Sequence, residues 1–471
     1  MLRGRNSCDG VSLGLALWHS PYETGIIQVG AIPPWLPCFA ISKRFIVCVL
    51  RNINAVSLDQ LWRFRLGLSK GGAMRRFYFL KLRDITLTTV SLSHRAIQIK
   101  ESQIREASRY CEKFGAINLA QGLPDFPAPE AIKESARAAI ASDFNQYADS
   151  WGWDKLRVEI AEKMQRDNQI AVDPDTEVTV CCGATEGLNI ALMTLINQGD
   201  RVLIFEPFYE NYIPNLATVG GIPEFITLQP PQWEITQEIL EPAFKKGIKA
   251  VIINSPANPT GKVWTRTELE LIAKLCQQYD VYAITDEIYE YIIYEGEHIS
   301  LMSIEGMRDR TIVVNGFSKT FCITGWRLGY TVASPELTAA MRRIHDFITI
   351  CAPAPLQHAA LTAMQFGRDY FTKLALDYKR KRDMLYPALV ELGLSPVLPR
   401  GAYYIWTDSS AIAPDADSAA FRLAKEALVA AVPGSCFSHP ERDKVNGLRF
   451  CFAKKDSTIE AAVKNLRKLK L

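Results

Sequence analysis

The chain has no Cys-x-x-Cys pair, no Gly-x-Gly-x-x-Gly and no complete phosphate loop, and each absence argues against a class of function. Its eleven cysteines are scattered and odd in number, with one adjacent pair at Cys181 and Cys182. That pattern argues against a disulfide framework and for reduced thiols in a cytoplasmic compartment. There are only six histidines, and His298, His345 and His358 never fall into a ligand spacing, so no metal centre is expected. The stretch "NPTGK" lacks the first glycine of a phosphate loop, and Val263 follows its lysine. No apolar run approaches the length of a membrane-spanning helix. A strong charge bias is missing too. A formal net charge of +3 over 471 residues gives no electrostatic ground for nucleic acid or an anionic membrane as partner.

Acidic residues are sparse over residues 1–92, where arginine is frequent and the apolar runs "SLGLALW" and "RFIVCVL" are broken. Two readings fit this basic extension of unknown role. It is an organellar targeting segment, or a dispensable extension with Met74 as an alternative start. No chemistry is assigned to it.

From about Ser93 the pattern becomes regular. "SHRAIQIKESQIREASRYCEKFG" has the periodicity of one amphipathic helix ending at Gly115. Short apolar runs follow, "EVTVCCG", "RVLIFEP", "AVIINSP", "VYAITDEI", "TIVVNGF" and "GYTVAS", separated by helical stretches. Near-continuous apolar strands alternating with helices predict an α/β fold, a mostly parallel central sheet sandwiched by helices. Beyond Pro335 a long basic amphipathic stretch leads into α+β material ("GAYYIWTD", "VAAVPGSCF", "GLRFCFA") that reads as a smaller domain. The expected division is 93–140 as the amino-terminal part of that small domain, 141–355 as the large domain and 356–471 as its carboxy-terminal part.

Ligands of such sheets collect beyond the carboxyl ends of the strands, so each strand end is a candidate. After "EVTVCC" comes Gly183-Ala184-Thr185 opening a helix, where free N–H groups and the helix dipole suit an anion; a plain capped turn is the bland alternative. After "RVLIFEP" stand Phe208 and Tyr209, either core or a platform over a pocket. After "AVIINSP" comes Asn258, in ordinary Asn-Pro turn chemistry. Asp286 ends "VYAIT" with Tyr289 three residues on. It is either a partly solvated cap or a buried carboxylate that must meet a cation or donor. After "TIVV" the chain delivers Lys319 and, eight residues later, Arg327. A desolvated lysine becomes a usable amine, and an arginine fork suits a phosphate; alternatively both snorkel to solvent. Taken together these groups fit one cofactor, pyridoxal 5′-phosphate. It needs an anion site, an amine for its aldehyde, a carboxylate for its ring nitrogen and donors for its phenolic oxygen.

The motifs "INLAQGLPDFPAP", "NPTGK", "DEIY" and "SKTFCITGWRLGY" jointly resemble the class I/II aminotransferases of the fold-type-I pyridoxal-phosphate superfamily. The nearest branch is the one holding kynurenine/glutamine transaminases and bacterial-type aspartate aminotransferases. The resemblance runs from about Ser93 to Leu471. It implies that Lys319 links to the cofactor's aldehyde and moves the substrate proton, and that Asp286 pairs with the ring nitrogen. It further implies that Tyr289 and Asn258 bond the phenolic oxygen and that Tyr209 stacks on the ring. Arg327 with Gly183, Ala184 and Thr185 would hold the phosphate. Tyr147 would reach the phosphate of the neighbouring subunit in a homodimer with shared active sites. Arg449 of "GLRFCFA" would grip the substrate carboxylate, aided by Gly122 and Asn258. One departure stands out: where many relatives carry a hydroxyl three residues before the lysine, this chain has Gly316.

The resemblance implies ping-pong transamination between a neutral, aromatic or acidic L-amino acid and a 2-oxo acid such as 2-oxoglutarate or pyruvate. No second arginine is assignable to a distal carboxylate, which favours a neutral or aromatic donor. A cysteine-conjugate β-lyase would use the same residues. An aminotransferase-like transcriptional regulator would need a DNA-binding module, and residues 1–92 show no helix-turn-helix pattern.

Overall fold

The computed structural model describes residues 92–99, 101–439 and 446–470, so the basic extension lies outside the described residues. Residues 92–471 form a compact unit. In chain order their strands are β1 (Ile117–Asn118), β2 (Val178–Cys181), β3 (Arg201–Glu206), β4 (Ile222–Thr227), β5 (Ile248–Asn254), β6 (Tyr282–Asp286), β7 (Thr311–Gly316), β8 (Gly329–Val332), β9 (Ser395–Val397), β10 (Tyr404–Asp408), β11 (Val429–Ala430), β12 (Val432–Pro433) and β13 (Gly447–Cys451).

Seven of them make one sheet in the order β2-β8-β7-β6-β5-β3-β4. All its pairings are parallel except those of β8, which is antiparallel to both β2 and β7. The fold is the expected α/β arrangement with a mostly parallel sheet. Strands β2, β7 and β8 are buried at every position, which is why they read as unbroken apolar runs. The sequence pattern did not reveal β4. This edge strand is largely half-buried and carries Pro223, so it has neither an apolar run nor clean alternation.

The smaller layers are a four-stranded antiparallel sheet, β12-β13-β10-β9, and the parallel pair β1-β11. Because β1 pairs with β11, a segment near residue 117 completes structure built from the chain's last fifty residues. The 24-residue helix Arg368–Glu391 precedes this layer, and the helix Asp456–Leu466 packs against it.

The single helix expected from 93 to 115 is in fact two, His94–Gln98 and Gln103–Phe114. Ile99 is extended, and Ser102 restarts the helix as its N-cap, its hydroxyl accepting from Arg105 N. Glu210 reinforces that start, accepting from Ser102 Oγ (2.9 Å) and Gln103 N (2.8 Å). Periodicity persists across the break, so the pattern alone could not locate it. The second helix does end at Gly115, at φ 64°.

Candidate active site

Parallel register brings the strand ends level: Asn254 of β5 lies beside Asp286 of β6, and Asp286 beside Val314 of β7. Beyond them opens a cavity of about 190 Å³, lined by Gly122, Ala184, Thr185, Tyr209, Asn258, Asp286, Tyr289, Lys319, Arg327 and Arg449 among others. Ten of the twelve residues singled out from sequence therefore border one space. Gly183 stands immediately behind it, and Tyr147 does not line it.

Asp286 accepts a hydrogen bond from Tyr212 Oη at 2.8 Å and a longer one from Ile288 N at 3.4 Å. Burial pushes its carboxyl up to about 6, against the opposing pull of Tyr212, the Ile288 amide and the Lys319 charge. Lys319 retains exposure chiefly through the cavity, and its Nζ donates to Gly122 O at 3.3 Å. Burial lowers its amine to about 8; Asp286 opposes that shift, and Arg449 and Arg327 add to it. A carboxylate ionised at neutral pH and an amine partly free of its proton thus face one cavity.

Arg449 is 1% exposed, not the surface residue that an arginine on a short strand usually is. Its guanidinium lies between the rings of Tyr404 (4.3 Å) and Phe437 (4.8 Å). It donates to Asn258 Oδ1 (2.9 Å) and Ala120 O (2.6 Å), while Nε is buried without a partner among the described residues. A buried, incompletely paired guanidinium beside a cavity is costly unless an anion joins it. The Asn258 backbone is fixed in turn, its main-chain N–H donating to Asn254 Oδ1 at 2.7 Å.

The phosphate-type features converge at the other end. Gly183, at φ 80°, opens the helix Ala184–Leu195, and a Cβ there would lie 2.5 Å from Arg327 Nη2. Arg327 itself has φ 54°, an uncommon conformation for a non-glycine residue. It reaches Thr324 O (3.0 Å) and Thr185 Oγ1 (3.4 Å) and is exposed in the single chain, as is Thr185. Tyr147 is 77% exposed.

Gly316 has a structural reason. A Cβ there would approach Gly329 Cα and Leu328 O at 2.9 Å, both backbone atoms of the neighbouring strand region. No side chain fits without moving that backbone, and the hydroxyl residues that this loop brings to the cavity are the buried Ser318 and the half-buried Thr324. Gly316→Ser is therefore expected to cost roughly 1–3 kcal/mol of stability without tightening anion binding. Thermal unfolding together with a cofactor titration checks both halves.

Tyr404 of the cavity wall, and Tyr212 and Tyr403 behind it, carried no sequence signal strong enough to be singled out. Tyr212, which holds Asp286, lies one helical turn past Tyr209, with the two rings edge-on at 5.6 Å. The Tyr404 hydroxyl is 2.9 Å from that of Tyr289, and Tyr403 Oη donates to Gly122 O at 3.0 Å. A Cβ on Gly122 would meet Tyr404 Oη at 2.1 Å, which explains the glycine. The "FYENY" aromatic spacing was a usable signal for Tyr212. Nothing local marked Tyr403 and Tyr404, because β10 reads as plain core.

The donor set fits pyridoxal 5′-phosphate. The cavity holds a depressed lysine amine, a carboxylate beside it, tyrosine hydroxyls, and an anion cradle that a Cβ at Gly183 would fill. Comparison with known proteins agrees. The family profile for aminotransferase class I and II matches residues 115–466. Methionine aminotransferase of Escherichia coli is 34% identical over 375 residues, spanning 79% of this chain and 97% of the relative. Human kynurenine–oxoglutarate transaminase 1 is 33% identical over 403 residues, 78% of this chain and 95% of its own length. The solved structure of Thermus thermophilus aspartate aminotransferase with maleate aligns at a TM-score of 0.76 and 33% identity, covering 80% of this chain and all of that one. This chain belongs to the class I and II aminotransferase family and is a pyridoxal-phosphate-dependent aminotransferase that exchanges an amino group between an amino acid and a 2-oxo acid.

Proposed function

We propose that the enzyme takes the amino group from a neutral or aromatic L-amino acid and passes it to a small 2-oxo acid, with the monocarboxylate pyruvate fitting the site better than the dicarboxylate 2-oxoglutarate. One observation carries this reading. The cations lining the cavity are Lys319, Arg327 and Arg449, while Ile104, Leu188, Ile288 and Tyr404 supply apolar wall. With Lys319 and Arg327 committed to the cofactor and Arg449 to the α-carboxylate, the described chain offers no further cation to a second, distal carboxylate.

In the reaction the cofactor supplies an electron sink for the charge that develops at the substrate's α-carbon. The protein's part is binding and proton handling. Arg449 takes the α-carboxylate bidentately beside Asn258 and Gly122, which fixes the α-carbon relative to Lys319. Lys319 Nζ, with its depressed affinity for a proton, removes the α-proton and redelivers it on the cofactor side. Asp286, oriented by Tyr212, would keep the ring nitrogen protonated, while Tyr289 and Asn258 would donate to the phenolic oxygen and Tyr209 would cover the ring. Thr185, Arg327 and the turn Gly183-Ala184 hold the phosphate.

We further read the enzyme as a homodimer with shared sites, in which Tyr147 reaches the partner's phosphate. Supporting this, Tyr147, Arg327 and Thr185 are exposed in one chain, and Phe347 is 93% exposed beside half-exposed Ile348 and Ile350. The reading keeps the small domain at 93–140 and 356–471 and the large domain at 141–355. It also keeps a cytoplasmic location. Every cysteine among the described residues is a free thiol, and no described helix is long and apolar enough to cross a membrane. Sedimentation velocity is expected to show a dimer that Phe347→Asp converts to monomer; a wild-type monomer that turns over at full rate would refute shared sites.

The donor is named by adding amino acids singly to the cofactor-loaded enzyme and monitoring its visible band. Bleaching by methionine, phenylalanine or kynurenine but not aspartate supports the proposal. Bleaching by aspartate alone overturns it. A band that persists while pyruvate and ammonia form from a cysteine conjugate replaces transfer with elimination.

A further inference from the structure

His345 lies outside the cavity, fully buried near the end of the helix Pro335–Ile348. Its Nδ1 is 2.7 Å from Glu186 Oε1, and its Nε2 is 2.7 Å from Ser150 O. A carbonyl oxygen can only accept, so Nε2 carries a proton. Glu186 Oε2 accepts from the Cys182 amide, and against burial that bond together with those from His345 and Thr349 holds the carboxyl below its ordinary value, so it is ionised and Nδ1 carries a proton to donate to Oε1. The ring is therefore an imidazolium with both N–H groups engaged and no lone pair left for a metal, although Cys181 and Glu186 stand close by.

These two bonds join three parts of the molecule. Glu186 directly succeeds Thr185 on the helix whose start forms the anion cradle. Ser150 belongs to the loop that carries Tyr147 and Trp151. The helix bearing His345 continues into exposed Phe347, next to Asp346, whose Oδ1 is buried without a partner among the described residues. One charged ring thus bolts together the turn that holds the phosphate, the loop that would cross to the partner, and the exposed apolar helix end.

We infer that His345 is a positioning residue that locks the Gly183–Thr185 turn and the Tyr147 loop into one unit, so that cofactor retention and subunit association rise and fall together with its protonation. This rests on the proposed function, in which the turn holds the phosphate and Tyr147 serves the neighbouring subunit. The surrounding charges are consistent with it. Burial opposes the charged ring, but the bond to Glu186 and its charge, the Ser150 carbonyl and Asp346 outweigh that and hold the imidazolium above its ordinary range. Burial likewise opposes the ionised Glu186, and the bonds from His345, Thr349 and Cys182 outweigh it. Of the other groups nearby, burial keeps the Cys181 thiol neutral, and Arg342 on the same helix is spent on Asp175 O and Val178 O. Asp149, in the Tyr147 loop, faces Arg157 at 3.7 Å. With the pKa raised in the fold, the lock is fully present below the ordinary histidine value and is lost as pH rises through the raised one.

The test uses the holoenzyme at fixed ionic strength. Cofactor affinity is read by equilibrium dialysis and dimer affinity by sedimentation, at a series of pH values rising from about 6, below the ordinary histidine value. In the wild type both are expected to weaken over one and the same interval, above the ordinary histidine range. In His345→Gln both are expected to be weaker by at least about tenfold at neutral pH, with that interval flattened. Glu186→Gln, which keeps an acceptor but removes the charge, moves the interval to lower pH. A His345→Gln protein with a lower unfolding temperature but wild-type cofactor and dimer affinities overturns the inference, leaving only a packing role. Tyr147→Phe separates the two levels. If it weakens cofactor binding while His345→Gln does not, the inference alone fails; if it has no effect, the shared-site proposal fails and takes the inference with it.

Discussion

Lys319→Ala is expected to lower turnover by on the order of 10⁵-fold or more, because on the proposed assignment it removes both the amine that attaches the cofactor and the base that moves the substrate proton. The fold should survive the change. The Lys319 amine makes a single 3.3 Å hydrogen bond, to Gly122 O, and otherwise faces the cavity, so unfolding temperature is expected to move little. Single-turnover absorbance with a donor amino acid measures the loss, and a variant that retains a bleachable visible band would remove Lys319 from its assigned role. The same residue predicts a pH dependence for cofactor attachment to the unloaded protein. The amine, lowered to about 8 by burial, gains its neutral form as pH rises towards that value. The attachment rate is therefore expected to climb roughly tenfold per pH unit below it and to level off above it.

On the proposed pairing of Asp286 with the ring nitrogen, Asp286→Asn is expected to cost about 10³-fold in the proton-transfer step. The substitution keeps the shape and leaves Tyr212 a carbonyl oxygen to donate to, so packing is nearly unchanged while the negative charge beside the ring nitrogen is lost. Without that charge the ring nitrogen sheds its proton and draws charge from the α-carbon less strongly. A variant within tenfold of wild type in single-turnover rate would show that another group serves the nitrogen. In the unloaded protein burial raises the Asp286 carboxyl to about 6. A group raised in this way loses its charge as pH falls through the raised value, so initial cofactor affinity is expected to drop below about pH 6. A cationic ring nitrogen seated beside it would then pull that value back down.

The two substitutions are separable in practice. Lys319→Ala removes attachment and base together, whereas Asp286→Asn leaves the attached cofactor coloured and slows only the proton transfer. Gly316→Ser, by contrast, should disturb stability and leave the chemistry alone, since its consequence is a clash with backbone at Leu328 and Gly329.

The alternation of apolar runs with helical stretches was enough to place six of the seven strands of the main sheet. Strands buried on both faces have no choice but to be continuously apolar. The parallel order in turn made the strand ends the place to look, and Asp286, Lys319, Asn258 and Tyr209 were all found by that rule. Local pattern could not carry anything decided by a partner far along the chain. The break before Ser102 depends on Glu210, more than a hundred residues away. The burial of Arg449 depends on Tyr404, Phe437 and Ala120 closing around it, and a short strand bearing an arginine gives no hint of that enclosure. Tyr212 and Tyr403 gained their roles only when folding set their hydroxyls against Asp286 and Gly122. Composition and period thus determined the class of fold and the kind of chemistry, since both depend on which groups must leave water. The tertiary structure alone decided which polar groups meet there, because hydrogen bonds in a buried site are short-ranged and depend on positions that no local pattern encodes.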